Sequence, residues 1–246
     1  LAEPAHPARR HWVTTLAAYG IMWATARRMG ARGFAPLVAL VLCAFIGRLR
    51  SQVRPETLVA VLLALEIWIL ETRRLGGRDR SHWLVGVAWV WANTHVSYYL
   101  GFVVLTVYLA DGWFASRGVA ARASRTDRAP ARMGRLVRVG AAALAISFVN
   151  PFGWRALWQP FDFFLHARHE LMYRTIKELE PVVWQRYIHT VLPLLVGGWG
   201  ALIAWRAWRR AFDRVEVLLC VAFTALALST QRFVGLFALV AVPFLM

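Results

Sequence analysis

Apolar residues come in long blocks rather than in alternation, and each block is closed by arginine, tryptophan or a turn residue. Blocks near 13–26, 34–47, 55–72, 83–110, 136–149, 190–205, 215–230 and 233–246 have the character of bilayer-crossing helices. Several are shorter than the roughly 20 residues of an upright crossing, so their ends extend into flanking Trp and Arg that reach the interface. The pattern predicts an all-α, polytopic transmembrane helical bundle, a single transmembrane domain over 1–246. The first block, "VTTLAAYGIMWATA", fits least well, since it carries a Gly and three Thr.

The block 83–110 is 28 residues, too long for one upright helix and short for two. "WVWANTHVSYYLG" (89–101) interrupts it with an amide, a hydroxyl and an imidazole, each costly in hydrocarbon unless satisfied. Charge decides its form. The connections 27–32, 73–80, 116–138 and 206–214 carry 18 of the 29 Lys and Arg. All four fall on one side only if 83–110 is a short helical hairpin, and the positive-inside rule makes that side cytoplasmic. The domain then has a basic cytoplasmic loop at 111–138 and a partly helical extracytoplasmic loop at 150–189. The outer side collects 47–56, 92–95, 150–160, 176–181 and 230–232, the segments richest in chemically versatile side chains. Within the outer loop, Phe161, Phe164, Leu165 and Met172 suit one face of an interfacial amphipathic helix.

Composition agrees: 59% hydrophobic, 17% charged and 13 Trp, against roughly 45–50% apolar in soluble domains. The net charge of +16 invites a nucleic-acid partner, but the arginines cluster at block ends, where topology determinants and lipid headgroups need them. Membrane lipids are therefore the expected partners and nucleic acid is not. Cys43 and Cys220 lie inside apolar blocks with no metal-like spacing and read as small buried hydrophobes. The chain opens on Leu1 and closes on Met246 within an apolar block, as a fragment would, lacking an N-terminal part and cut inside its last span.

Arg48, Arg50 and Arg54 crowd the outer end of the 34–47 block, and Arg232 tops the last hairpin beside Gln231. A guanidinium holds phosphate through paired hydrogen bonds, and positive charge on the outer side runs against the topology bias. Snorkelling to the interface is the competing account. Glu178 in "KELEP" is the best-placed general base for an acceptor hydroxyl, its alternative being a solvated charge balanced by Lys177 or Arg174. Glu66 sits about three turns into its block, where a carboxyl is expensive, and reads as structural. Asn93 suits a helix cap and His95 a pocket lining. No metal or nucleotide motif is present, so no cofactor is expected, with a divalent cation beside a phosphate left open.

In this order, "RPETLVAVLLALEIWILE", "WANTH", "NPFG", "IKELEP" and "QRFVGLFALVAVPFL" resemble motifs of a broad group of bacterial polytopic proteins, which read Arg-Pro-Gln, Trp-Ala-Asn-x-His, Asn-Pro-Tyr-Gly, Ile-x-Glu-Trp and Arg-Asn-x-Pro. That group looks like the GT-C-fold membrane glycosyltransferases that use polyprenyl-phosphate sugars. The likeness covers most of residues 47–246 and implies a lipid-phosphate-sugar site formed by Arg54, Asn93, His95, Asn150, Glu178 and Arg232. The chain departs from it at Glu56, Leu179 and Phe233, which stand where Gln, Trp and Asn are usual. It also has no acidic motif in a first outer loop, which GT-C enzymes carry.

The expectation is a glycosyltransferase of the cell inner membrane, moving a sugar from a polyprenyl-phosphate donor to an extracytoplasmic acceptor. Arg48, Arg54 and Arg232 would neutralise the phosphate and Glu178, or an acid N-terminal to this chain, would be the base. The rivals are a transporter or flippase for an anionic lipid or metabolite, and a non-catalytic membrane subunit.

Overall fold

The computed structural model describes residues 6–48, 56–117 and 129–245, and these are all-helical, with no strand among them. The helices are α1 (His6–Met29), α2 (Ala35–Arg48), α3 (Glu56–Arg74), α4 (Trp83–Thr94), α5 (Tyr99–Ser116), α6 (Ala129–Ser147), α7 (Trp154–Leu165), α8 (Leu171–Arg174), α9 (Trp184–Tyr187), α10 (Leu192–Trp208), α11 (Arg214–Ser229) and α12 (Val234–Ala241). Single 3-10 turns at Val96–Tyr98, Ala167–His169, Lys177–Leu179 and Gln231–Phe233 join several of them. Helix α5 runs on to Ser116 and α6 begins at Ala129. The basic stretch expected as a loop over 111–138 is therefore largely helix wherever it is described. Arginine is a good helix former, so its arginines lengthen helices as readily as they fill a loop.

One helical stretch among the described residues, Val96–Ser116, is long and apolar enough to cross a membrane, with mean hydropathy 1.3. Pro36–Ile46 and Gln231–Ala241 are apolar but shorter. The other expected crossings fall below that mark for local reasons: α4 is only 12 residues long, and α3 carries Glu56, Glu66, Glu71, Arg73 and Arg74.

Paired contacts give the direction of each helix. Asp79, just before α4, meets Arg135 near the start of α6, and Asn93, near the end of α4, meets Val149 just past the end of α6. Helices α4 and α6 therefore run parallel. In α5 the order is reversed: Leu105 lies against Gly140 and Gly112 against Met133. The chain thus turns back between α4 and α5, and both arms pack on α6. Helix α1 lies along α3, and α12 sits between α2 and α11. Leu63, Ile67, Leu100, Val104, Phe223 and Phe237 fill the centre, each with almost no exposure.

Close approach of α3 and α5 depends on Gly101. A Cβ there would stand 2.7 Å from Glu66 Oε2 and 3.1 Å from the Trp91 ring. Glu66, only 5% exposed, is accommodated by the missing side chain.

One end of the bundle gathers the charges. Arg74 donates both terminal nitrogens to Asp213, at 2.8 Å each, and its Nε to Glu71 at 3.1 Å, while the Tyr108 hydroxyl donates to Glu71 at 2.7 Å. This ties α3, α5 and the start of α11 together. Asp213 also caps α11 by accepting from the Val215 N–H. Arg28 donates to Thr72, Arg214 pairs with Asp111, and Arg206 donates to Glu216. The ends of 27–32, 73–80, 116–138 and 206–214 that are described share this end of the molecule.

Removing a partner from a buried ion pair leaves the others uncompensated, at a cost of about 3–5 kcal/mol. Arg74→Met is expected to lower the melting midpoint far more than Arg78→Met, whose side chain is not part of the network described above. Equal midpoints would refute the network's role. At Asp79, burial opposes the charge, but the Ser81 N–H and the Arg73 and Arg135 guanidiniums outweigh it and hold the carboxyl below the ordinary aspartate range. A lowered carboxyl pKa contributes stability in full above its unfolded value of about 3.9 and loses it as pH falls through the folded value. Asp79→Asn is expected to melt below the parent at neutral pH, with the gap closing only as the pH falls below about 3.9 and through the folded value.

Candidate functional site

The opposite end is built on two breaks of the same kind. Helix α4 stops at Thr94, whose hydroxyl returns to the Val90 carbonyl at 2.8 Å. The Asn93 amide donates to the Trp89 and Val149 carbonyls at 2.8 and 3.1 Å, and the Trp89 indole donates to the same Val149 carbonyl at 3.1 Å. His95 then goes extended at φ −157°, ψ 140° and caps the 3-10 turn 96–98, its Nδ1 accepting from the Ser97 N–H at 3.0 Å. Helix α5 follows directly. In the last hairpin, α11 stops at Ser229, Thr230 goes extended at φ −154°, ψ 116°, a 3-10 turn covers 231–233, and α12 follows.

The two breaks meet. Arg232, on the second, brings a terminal nitrogen to 3.0 Å from His95 Nε2, on the first. Arg232 also acts electrostatically on Tyr99, in the first turn of α5. The ring is crowded with donors: the Ser97 N–H points at Nδ1 and Arg232 at Nε2. A neutral imidazole keeps a proton on one nitrogen, so one of these two contacts always opposes N–H to N–H. With the proton on Nδ1, which lies 2.7 Å from the Ser97 hydroxyl, Nε2 accepts from Arg232 and the imidazole holds the guanidinium in place. The first turns of α5 and α12 begin here too, with their positive dipole ends, the Tyr99 and Val234 N–H groups being bonded back to the Ser97 and Gln231 carbonyls.

The segment 176–187 closes the site from one side. The Val182 N–H donates to Leu228 and the Gln231 N–H to Glu180. The Gln231 amide donates to the Pro181 carbonyl at 3.0 Å and accepts from the Tyr187 hydroxyl at 3.0 Å. Glu178 lies on this segment, half-buried in the turn 177–179 that packs on 231–233. From another side, α7 covers the first break: the Tyr98 hydroxyl donates to the Leu157 carbonyl, and the Tyr99 and Phe164 rings meet edge to face at 6.0 Å.

Of the residues singled out from sequence, His95 and Arg232 are in contact, and Glu178 is on the segment tied to Arg232's turn. Asn93 holds the end of α4 to the end of α6. Asn150 is occupied by its own turn, donating to the Ser147 and Gly153 carbonyls and accepting from the Phe152 N–H; Gly153, at φ +54°, completes that turn. Arg48 is the last residue of α2, which returns from the Arg74 end, so its backbone lies toward the His95 end; its side chain is outside the described residues. Arg50 and Arg54 are outside them altogether. Ser97, Tyr98, Tyr99 and Tyr187 were missed, and the Ser two residues after His95 was the only local signal available. Among the described residues no three His, Cys, Asp or Glu side chains gather as a metal site. No protein family, curated protein or solved structure matches the chain.

Gln231→Ala removes the side-chain hydrogen bonds to Pro181 and Tyr187 while leaving the backbone bond to Glu180. A lost partner leaves buried polar groups unmet at about 1–3 kcal/mol each. Faster limited proteolysis within 176–187 is expected, with the Arg74 end unchanged; identical cleavage rates would refute the staple.

Proposed function

We propose that the chain is a polytopic membrane glycosyltransferase that takes a sugar from a polyprenyl-phosphate donor to an acceptor at the His95 end of the bundle. The observation that carries this reading is the Arg232–His95 contact, 3.0 Å across two broken helices. As the sugar–phosphate bond breaks, charge develops on the phosphate oxygen, and donors already fixed in place stabilise it without reorganisation. Arg232, oriented by His95 Nε2, is such a donor, and the N-termini of α5 and α12 add partial positive charge. Arg48 and Arg54 belong to the same role by sequence position. Glu178 is the base that takes the acceptor hydroxyl proton. Membrane residence is supported by the outward faces of the helices, where Leu16, Phe45, Leu144, Leu194 and Val221 are each about half or more exposed, more apolar surface than a soluble monomer leaves uncovered. The Arg74 end carries the arginine-rich connections and is assigned to the cytoplasm of an inner membrane.

A second reading has its own observation. Paired interrupted helices with half-helix N-termini at one site also suit a carrier of anionic lipid or metabolite.

The test is sugar transfer by the full-length protein in vesicles containing the polyprenyl-phosphate sugar. Arg232→Ala is expected to reduce turnover by about 10²–10³, the scale of removing one transition-state donor, and Glu178→Gln by about 10²–10⁴. Unchanged transfer after Arg54→Ala and Arg232→Ala together would remove the phosphate role, and counterflow of substrate without covalent product would favour the carrier.

A further inference from the structure

Helix α7 presents three stripes. Leu157 and Pro160 are buried and Phe164 is half-buried, turned toward the α4–α5 break through the contacts of Leu157 with Tyr98 and Phe164 with Tyr99. At about 100° per residue, Arg155, Gln159, Asp162 and His166 make a second stripe, all exposed, with His166 paired to Asp162 at 3.1 Å. Trp154, Trp158, Phe161 and Leu165 make the third. They are 62%, 50%, 52% and 60% exposed although every one is large and apolar.

The third stripe continues beyond the helix. Phe152, immediately before α7, is 74% exposed, and Trp89 and Val149, joined by a hydrogen bond, are 46% and 59% exposed. The result is an aromatic band around the His95 end of the bundle. Arg155 in the first turn of α7 and Arg168 just past its last turn are both exposed, so cationic groups bracket the band. Tryptophan at one level with arginine beside it matches the headgroup–acyl boundary of a bilayer, and the charge suits lipid phosphates.

We infer that the Trp154–Trp158–Phe161–Leu165 face of α7 is seated in the headgroup–acyl boundary of a phospholipid bilayer, with the Arg155 stripe toward water. Because the other face of α7 holds Tyr98 and Tyr99, this seating sets the depth of His95 and Arg232 at the level of lipid phosphates. The anion that reaches the pair is then presented by a lipid from the plane of the membrane. The inference rests on the membrane reading above.

Nitroxide labels placed one at a time by Trp158→Cys, Phe161→Cys, Gln159→Cys, Asp162→Cys and Val221→Cys, in the full chain reconstituted in phosphatidylcholine–phosphatidylglycerol vesicles, test it. The ratio of collisions with oxygen to collisions with a water-soluble nickel complex is expected to be several-fold higher at 158 and 161 than at 159 and 162, and highest at 221. A high ratio at 221 with water-like ratios at 158 and 161 overturns the seating alone. Shielding of 158 and 161 from both reagents also overturns it, since a protein surface then covers the stripe. A water-like ratio at 221 overturns the membrane reading and the seating together. Should a labelled tryptophan position fail to fold, the Phe161 and Asp162 pair decides by itself.

Discussion

A helix that stops inside an apolar block strands its last carbonyls and the next helix's first N–H groups unless side chains or a turn take them up. Everything at the His95 end follows from how this chain meets that demand. After α4, the Thr94 hydroxyl and the Asn93 amide turn back to carbonyls of their own helix, and His95 takes the first N–H of the following turn. The imidazole is thereby fixed by its Nδ1 side, and its Nε2 edge meets Arg232. Local backbone satisfaction and orientation of a chemically useful group are a single event.

The Arg74 end solves the opposite problem. Its charges are many and close together, and they are matched: Arg74 to Asp213 and Glu71, Arg214 to Asp111, Asp79 to Arg73 and Arg135. A matched network resists movement because shifting one element exposes unpaired charge on two others. Helices α3, α5 and α11 are pinned there, and the far ends of α5 and α11 carry the breaks.

Much of this was legible in sequence, for reasons that differ by feature. Most helix positions followed from the apolar blocks. The reversal within 83–110 followed from charge, since only a turn there brings the arginine-rich connections together, and the parallel run of α4 against the antiparallel run of α5 on α6 is that turn. Contacts between distant residues were not legible. Arg232 and His95 were each marked by motif likeness, but 137 positions separate them and no local pattern states that they touch. Arg74 and Asp213, 139 apart, are the same case, although Asp213 before an apolar run is a readable N-cap. On α7 the periodicity grouped Phe164 and Met172 with Phe161 and Leu165. The structure separates them: Phe164 packs on Tyr99, and Met172 belongs to α8 because the helix breaks at His166. The exposed stripe is completed instead by two tryptophans on the preceding turns.

The likeness of the two breaks has a consequence for chemistry. Each consists of a helix, one extended residue, a 3-10 turn and a second helix, and each contributes one side chain to the His95–Arg232 contact. Two rigid half-helices approaching from different hairpins fix that contact more firmly than a loop would, because moving either group means moving a packed helix. Such a pair keeps the guanidinium in place whether or not a ligand is present. That is the condition under which a fixed dipole stabilises developing charge more than it stabilises the ground state. It also explains why Gln231, which belongs to neither donor, is buried and bonded on three sides: it locks the turn that aims Arg232.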